Sequence, residues 1–199
     1  MTRQNLTLLP VLLCVSIMAG CTDPIAQKRH ELCNYVPGGQ QFDENARIDG
    51  KIAVIYKKGN YNPQFDNRCD MDGHSGRSET AYFPDEMYAR SPDELDTLIM
   101  IEEKKGDFLK TTQWRMTESP GWTTDVYSCQ LGISIINYKT STLIRNSVRE
   151  FTKIPEKISL SDLKLGNANR SINDEYIVEP TRADIRNALK EFSDNVKEN

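Results

Sequence analysis

The residues best equipped for chemistry lie in one polar stretch, residues 58–79, KGNYNPQFDNRCDMDGHSGRSE. A loop of about 20 residues without apolar period is uncommon in a compact domain unless it is functional or disordered. Its centre, Asp70-Met71-Asp72-Gly73-His74, offers the oxygen donors and glycine turn of a calcium loop, with Glu79 at the bidentate place. The same register puts Arg68 at the first ligand position, where a cation repels the ion it should bind. The expectation is therefore a solvated turn stapled by Cys69 that holds no metal, with Asp70, Asp72 and His74 as a binding loop.

Other chemistries lack their parts. A zinc site needs clustered Cys and His ligands, and Cys69 with His74 supplies two. The two histidines are His30 and His74, so a Ser-His-Asp machine would rest on His74 with a distant nucleophile. Ser75 and Ser78 are near it but stand in no Gly-x-Ser-x-Gly elbow. Gly38-Gly39 and Gly73-x-x-Gly76 lack the Lys-Ser/Thr of a phosphate loop. Trp114, Trp122, Tyr61 and Tyr127 could line a groove, although aromatics in a domain of this size are more often core. Paired carboxylates remain, and 29 acidic residues leave a cell-envelope hydrolase as the alternative reading. No catalytic residue and no cofactor is assigned.

The elements that must carry these residues read as strands and a terminal helix. Residues 51–57, KIAVIYK, are apolar on both alternating faces, as a central strand is, and residues 97–102, TLIMIE, share that character. Ser91-Pro92-Asp93-Glu94 carries a capping-box spacing with Pro at the first helical position, so one helical turn should feed the second strand. Lys104-Lys105-Gly106-Asp107 reads as a hairpin turn into a strand near residues 108–114. Between residues 126 and 138, Tyr127, Cys129, Leu131, Ile133 and Ile135 alternate with polar or small residues, the period of a half-buried strand. Residues 137–141 make a turn and residues 142–151 return. Thr181 and Asp184 have cap spacing, and Ile185, Leu189, Phe192 and Val196 form one apolar stripe. The fold class is α+β: a largely antiparallel sheet of about five strands with a C-terminal amphipathic helix on one face.

With 199 residues, a formal charge of −4, 38% apolar and 27% charged residues, the chain has the composition of one ordinary globular domain. It lacks the basic field that a nucleic-acid partner requires. Residues 1–20 start with Arg3 and run through an apolar stretch from Leu6 to Met18, too short to span a bilayer comfortably and laid out as a secretory signal. Residues 21–46 are polar with Pro37-Gly38-Gly39 and read as a tether with a reach of roughly 25 to 30 Å. Residues 47–199 form the single α+β domain.

Met18-Ala19-Gly20-Cys21 resembles the lipobox of bacterial lipoproteins, with Met18 in place of the usual Leu. The resemblance implies cleavage before Cys21, lipid on that residue, and attachment to a membrane through it. Thr22, in place of the Asp that retains such proteins at the inner membrane, points to the periplasmic face of the outer membrane. With Cys14 leaving and Cys21 acylated, Cys33, Cys69 and Cys129 remain in an oxidising compartment with three pairings open, of which Cys69 with Cys129 is favoured. Gly50-Lys51, Phe83-Pro84, residues 89–98 and residues 135–140 together are similar to a loose group of uncharacterised bacterial exported proteins, a likeness that implies no activity. The expected function is a lipid-anchored, non-enzymatic module that binds an envelope protein or glycan.

Overall fold

A computed structural model describes residues 24–58, 69–72, 81–116, 119–154 and 173–198. In chain order the elements are α1 (Pro24–Gln27), α2 (Arg29–Cys33), β1 (Gly39–Gln40), β2 (Lys51–Lys57), β3 (Cys69–Asp72), β4 (Leu95–Met116), β5 (Ser119–Asn137), β6 (Thr142–Phe151), β7 (Asn173–Ile177) and α3 (Arg182–Lys190). The strands form one sheet in the order β1-β6-β5-β4-β2-β3, with β7 paired to the remaining stretch of the β5 edge.

The fold is mixed α+β and mostly sheet, but the sheet has seven strands instead of about five and is mixed, its long antiparallel pairings β4–β5 and β5–β6 standing beside shorter parallel ones. β2 runs parallel to β4, β1 to β6 and β7 to β5. The β2–β4 pairing follows from β3. The chain leaves β2, reverses into β3 at the sheet edge, then crosses residues 81–94 and enters β4 on the far side of β2. The three strands that raise the count, β1, β3 and β7, span two, four and five residues, too short to show a period.

Lys104-Lys105-Gly106-Asp107 is no turn. β4 passes straight through it as a 22-residue strand, paired with β5 from Thr97 opposite Asn137 to Met116 opposite Ser119, with irregular register between Lys105 and Phe108. Gly106 serves close approach: a Cβ there would sit on Ser128 Oγ, which accepts from Asp107 N at 2.7 Å and donates to Glu150 at 2.5 Å. The turn before β4 is as its spacing implies, a 3₁₀ turn at Pro92–Glu94 leading into Leu95, although Ser91 makes no side-chain cap.

The sheet centre is apolar on both faces. On one, Ile52, Val54, Ile99, Ile101, Leu131, Ile133 and Ile135 pack against Ile185, Ala188, Leu189, Phe192 and Val196. α3 is fixed there by the anticipated capping box, with Asp184 N donating to Thr181 Oγ1 and Thr181 N to Asp184. The helix stops at Lys190, and Phe192 and Val196 continue the same apolar face from the irregular tail.

On the opposite face, Ala53, Ile55, Leu98 and Ile136 are covered by Ile25, Leu32 and Cys33. The described part of residues 21–46 is thus docked structure and not a tether. Ile25, Leu32 and Cys33, at i, i+7 and i+8, form one helical stripe that the polar composition hides. Tyr35 donates to Ser141 Oγ at 2.9 Å, and Gly38 N donates to Ser141 O at 2.8 Å, so the docking continues along the β5–β6 turn.

The disulfide joins Cys33 to Cys69, and the favoured pairing of Cys69 with Cys129 is corrected. Cys129 is fully buried as expected, but it is a thiol on β5. Three strand spacings separate β5 from β3, about 14 Å, whereas a disulfide needs Cα atoms within about 7 Å. Cys129 also shares the α3 face with Leu131, while Cys69 packs with the opposite cluster. Cys33 and Cys69 have Cα atoms 6.1 Å apart and clip α2 to the edge strand across 36 residues of sequence.

That clip should be worth about 2–4 kcal/mol. Cys33→Ser with Cys69→Ser should lower the unfolding free energy measured in urea by that amount, whereas Cys129→Ser should leave the bridge intact by peptide mapping under non-reducing conditions. Recovery of a Cys69–Cys129 peptide from the wild type would overturn the assignment.

Candidate functional site

The stretch singled out for chemistry divides three ways. Asp70 is exposed on β3, opposite Tyr56 of β2. Asp72 lies two residues on, on the same strand face, with its side chain only 11% exposed. His74 lies outside the described residues, and so does Cys21. The alternation of Cys69 and Met71 toward one cluster with Asp70 and Asp72 toward the other is a period-two strand signal, carried by only four residues.

Asp72 is held by groups from two other parts of the chain. Tyr88 Oη donates to Asp72 Oδ2 at 2.5 Å, Tyr82 N donates to the same oxygen at 2.8 Å, and Phe83 N donates to Tyr88 Oη at 3.3 Å. Arg182 of α3 stands 3.7 Å from Asp72 Oδ1, an ion pair beyond hydrogen-bond reach, and its guanidinium lies 4.8 Å from the Tyr82 ring centre. Sequence reasoning missed Tyr82, Tyr88 and Arg182, which come from two segments with no motif relation to Asp72.

A second buried carboxylate, Glu103, projects from β4 on the same sheet face and is 1% exposed. It accepts a hydrogen bond from Tyr56 Oη of β2. Tyr82 feels both carboxylates. Burial raises its phenol to about 12, Arg182 opposes the rise, and Asp72 and Glu103 add to it. Burial and then the Glu103 hydrogen bond push Tyr56 far above its usual range, and burial and then the Asp72 charge do the same for Tyr88. The three phenols therefore stay protonated, and Tyr56 and Tyr88 donate to the carboxylates.

A carboxylate bound by a phenol and a backbone N–H, with an arginine beside it, is committed to structure. Asp72 ties β3 to residues 82–88 and to α3, and so locks the edge strand under the helix. Among the described residues no group of three His, Cys, Asp or Glu side chains stands close enough to hold a metal ion, and no helix is long and apolar enough to cross a membrane. No protein-family model, no characterised protein and no solved structure matches this chain.

A separate cleft of about 250 Å³, lined by both polar and apolar side chains, opens at the other end of the sheet, between the β5–β6 turn and the strip that follows β1. Asn137, Thr140 and Thr142 line one side, and Gln41 and Asp43 the other. No motif marks it, because its walls are about 100 residues apart in sequence.

Two outcomes test the Asp72 cluster. Removing the hydroxyl in Tyr88→Phe leaves a buried carboxylate oxygen short of a donor and should cost about 1.5–3 kcal/mol in denaturant unfolding. The raised phenols also set an alkaline limit. A fold that favours the neutral phenol gains stability that is fully present below about pH 10, the unfolded value, and is lost as pH rises through the folded values. Ultraviolet titration should show fewer than the chain's 8 tyrosines ionised in the native protein near pH 11, against complete ionisation in urea.

Proposed function

We propose that this chain is a lipid-anchored, non-enzymatic binding module of a bacterial cell envelope, moored through Cys21 at the periplasmic face of the outer membrane and acting on an envelope protein or glycan. The observation that carries the reading is the Cys33–Cys69 disulfide. Such bonds persist in oxidising compartments, and this one fastens the segment that the anchor would hold. The commitment of Asp72 to Tyr88, Tyr82 and Arg182 favours binding over carboxylate hydrolysis.

The docked N-terminal segment changes the geometry of mooring. Pro24 begins the first helix, and Ile25 is fully buried, so Cys21 stands three positions ahead of the folded body, with only Thr22 and Asp23 between. At about 3.5 Å per extended residue that is at most about 10 Å, against the roughly 25 to 30 Å of a free tether. The domain would rest against the bilayer, its reach set by its own dimensions. Several acyl chains, at about 0.8 kcal/mol per buried methylene, would make the attachment effectively permanent.

Cells fed radiolabelled palmitate should yield a labelled protein that stays with membranes through a high-salt wash and is released by detergent. Cys21→Ala should abolish both label and membrane retention. A wild-type protein that carries no label and retains residues 1–20 would remove the anchor.

A further inference from the structure

We propose that the cleft between the β5–β6 turn and the strip after β1 is a binding site for a single neutral sugar ring. This deepens the binding-module reading, on which it rests, by naming a ligand class and the residues that meet it.

The cleft is built from two walls held independently of any ligand. In the strip, Gln41 N donates to Leu143 O at 3.0 Å, Asp43 N donates to Ile144 O at 2.9 Å, and Arg145 Nη1 donates to Ala46 O at 3.2 Å. In the turn, Thr140 N donates to Asn137 Oδ1 at 3.1 Å and Thr142 Oγ1 to Thr140 O at 3.1 Å. Ser141 follows in the left-handed region at φ 55°, the one non-glycine residue to do so among the described residues. Such a conformation persists only where its surroundings over-determine it. Here Tyr35 and Gly38 donate to the Ser141 side chain, while Gly38 and Gly39 donate to its carbonyl. The docked N-terminal segment therefore holds the turn in shape and supplies the facing wall.

The lining matches hydroxyl groups. Asp43 Oδ1 accepts from Asn45 N at 2.9 Å, which leaves Oδ2 for a ligand. The Gln41 carboxamide makes no hydrogen bond among the described residues, so both its donor and its acceptor are available. The Asn137 amide nitrogen and the Thr140 hydroxyl add to a mixed donor and acceptor set. No lysine, arginine or histidine lines the cleft, which disfavours phosphate and carboxylate ligands. Ala46 and Ile144 give the apolar contact that a pyranose C–H face needs. At about 250 Å³ the cleft is smaller than the roughly 300–1,000 Å³ of drug-sized pockets, so it takes one ring and not a chain.

The test is an amide-resolved NMR titration of the isotope-labelled full chain, purified from membranes in a zwitterionic detergent. The probes are N-acetylglucosamine, glucose and, for comparison, trialanine. Saturable shifts at Gln41, Asp43, Thr140 and Thr142 with either sugar, at a Kd of about 1 mM, are expected. Gln41→Ala and Asp43→Asn should each weaken binding at least about tenfold. Both spare the fold: Gln41→Ala keeps the backbone pairing, and Asp43→Asn keeps the acceptor for Asn45 N. Unchanged thermal melting of both variants verifies this. Absence of shifts with both sugars up to about 50 mM, equal shifts with trialanine, or sugar binding unaffected in both variants would overturn the proposal. Palmitate labelling reads the mooring separately, so a labelled protein that ignores both sugars loses the ligand assignment and keeps the anchor.

Discussion

Burial of the sheet centre on both faces is the constraint from which the rest of the molecule follows. Ile52, Ala53, Val54 and Ile55 in β2 are each fully buried, and they point alternately to opposite faces. A strand of this kind is stable only with two covers. α3 and the residues after it supply one, and the other is supplied by α1 and α2, helices of four and five residues that are too short to hold themselves in water. Their stability comes from Ile25 and Leu32 against the sheet and from the Cys33–Cys69 bridge. The N-terminal segment is therefore part of the domain, and a lipid attached just ahead of it would be coupled to the sheet itself.

The same constraint governs the polar groups. A carboxylate that enters the α3 face must bring donors with it, since an unpaired buried charge is strongly destabilising. Asp72 meets Tyr88, Tyr82 and Arg182, and Glu103 meets Tyr56. The Asp72 contacts join β3, the connection into β4, and α3, and the Glu103 contact joins β4 to β2. Acidic residues that look like chemistry in the sequence thus serve as joints. The cleft around Gln41 and Asn137 differs, because its donors and acceptors face an open space at the sheet end.

Much of the fold was legible where a period ran long enough. β2, β6 and the Thr181 capping box stand where the residue pattern puts them, as does the helical turn at Pro92–Glu94, while β5 contains the alternation that begins at residue 126 but starts earlier, at Ser119. Errors fell where one local signal has two physical causes. Lys104-Lys105-Gly106-Asp107 has turn composition, but Gly106 is glycine to admit Ser128. Residues 24–35 are polar on average, yet Ile25, Leu32 and Cys33 align on one side. Of the site residues, Asp72 was legible as a polar side chain worth attention, and neither its partners nor the cleft was.

The sequence by itself determined that the molecule is α+β, that β2 is covered on both faces, that Cys129 points inward and that a capped helix closes the chain. Each of these follows from side-chain periodicity and short-range hydrogen bonding, which act over a few residues. Only the tertiary structure decided that the sheet is mixed, that Cys33 takes Cys69, and that Asp72 is clamped instead of presented. Those outcomes depend on which strands lie side by side and on which face a residue emerges. Both are properties of strand order, and a one-dimensional pattern of polar and apolar residues does not encode them.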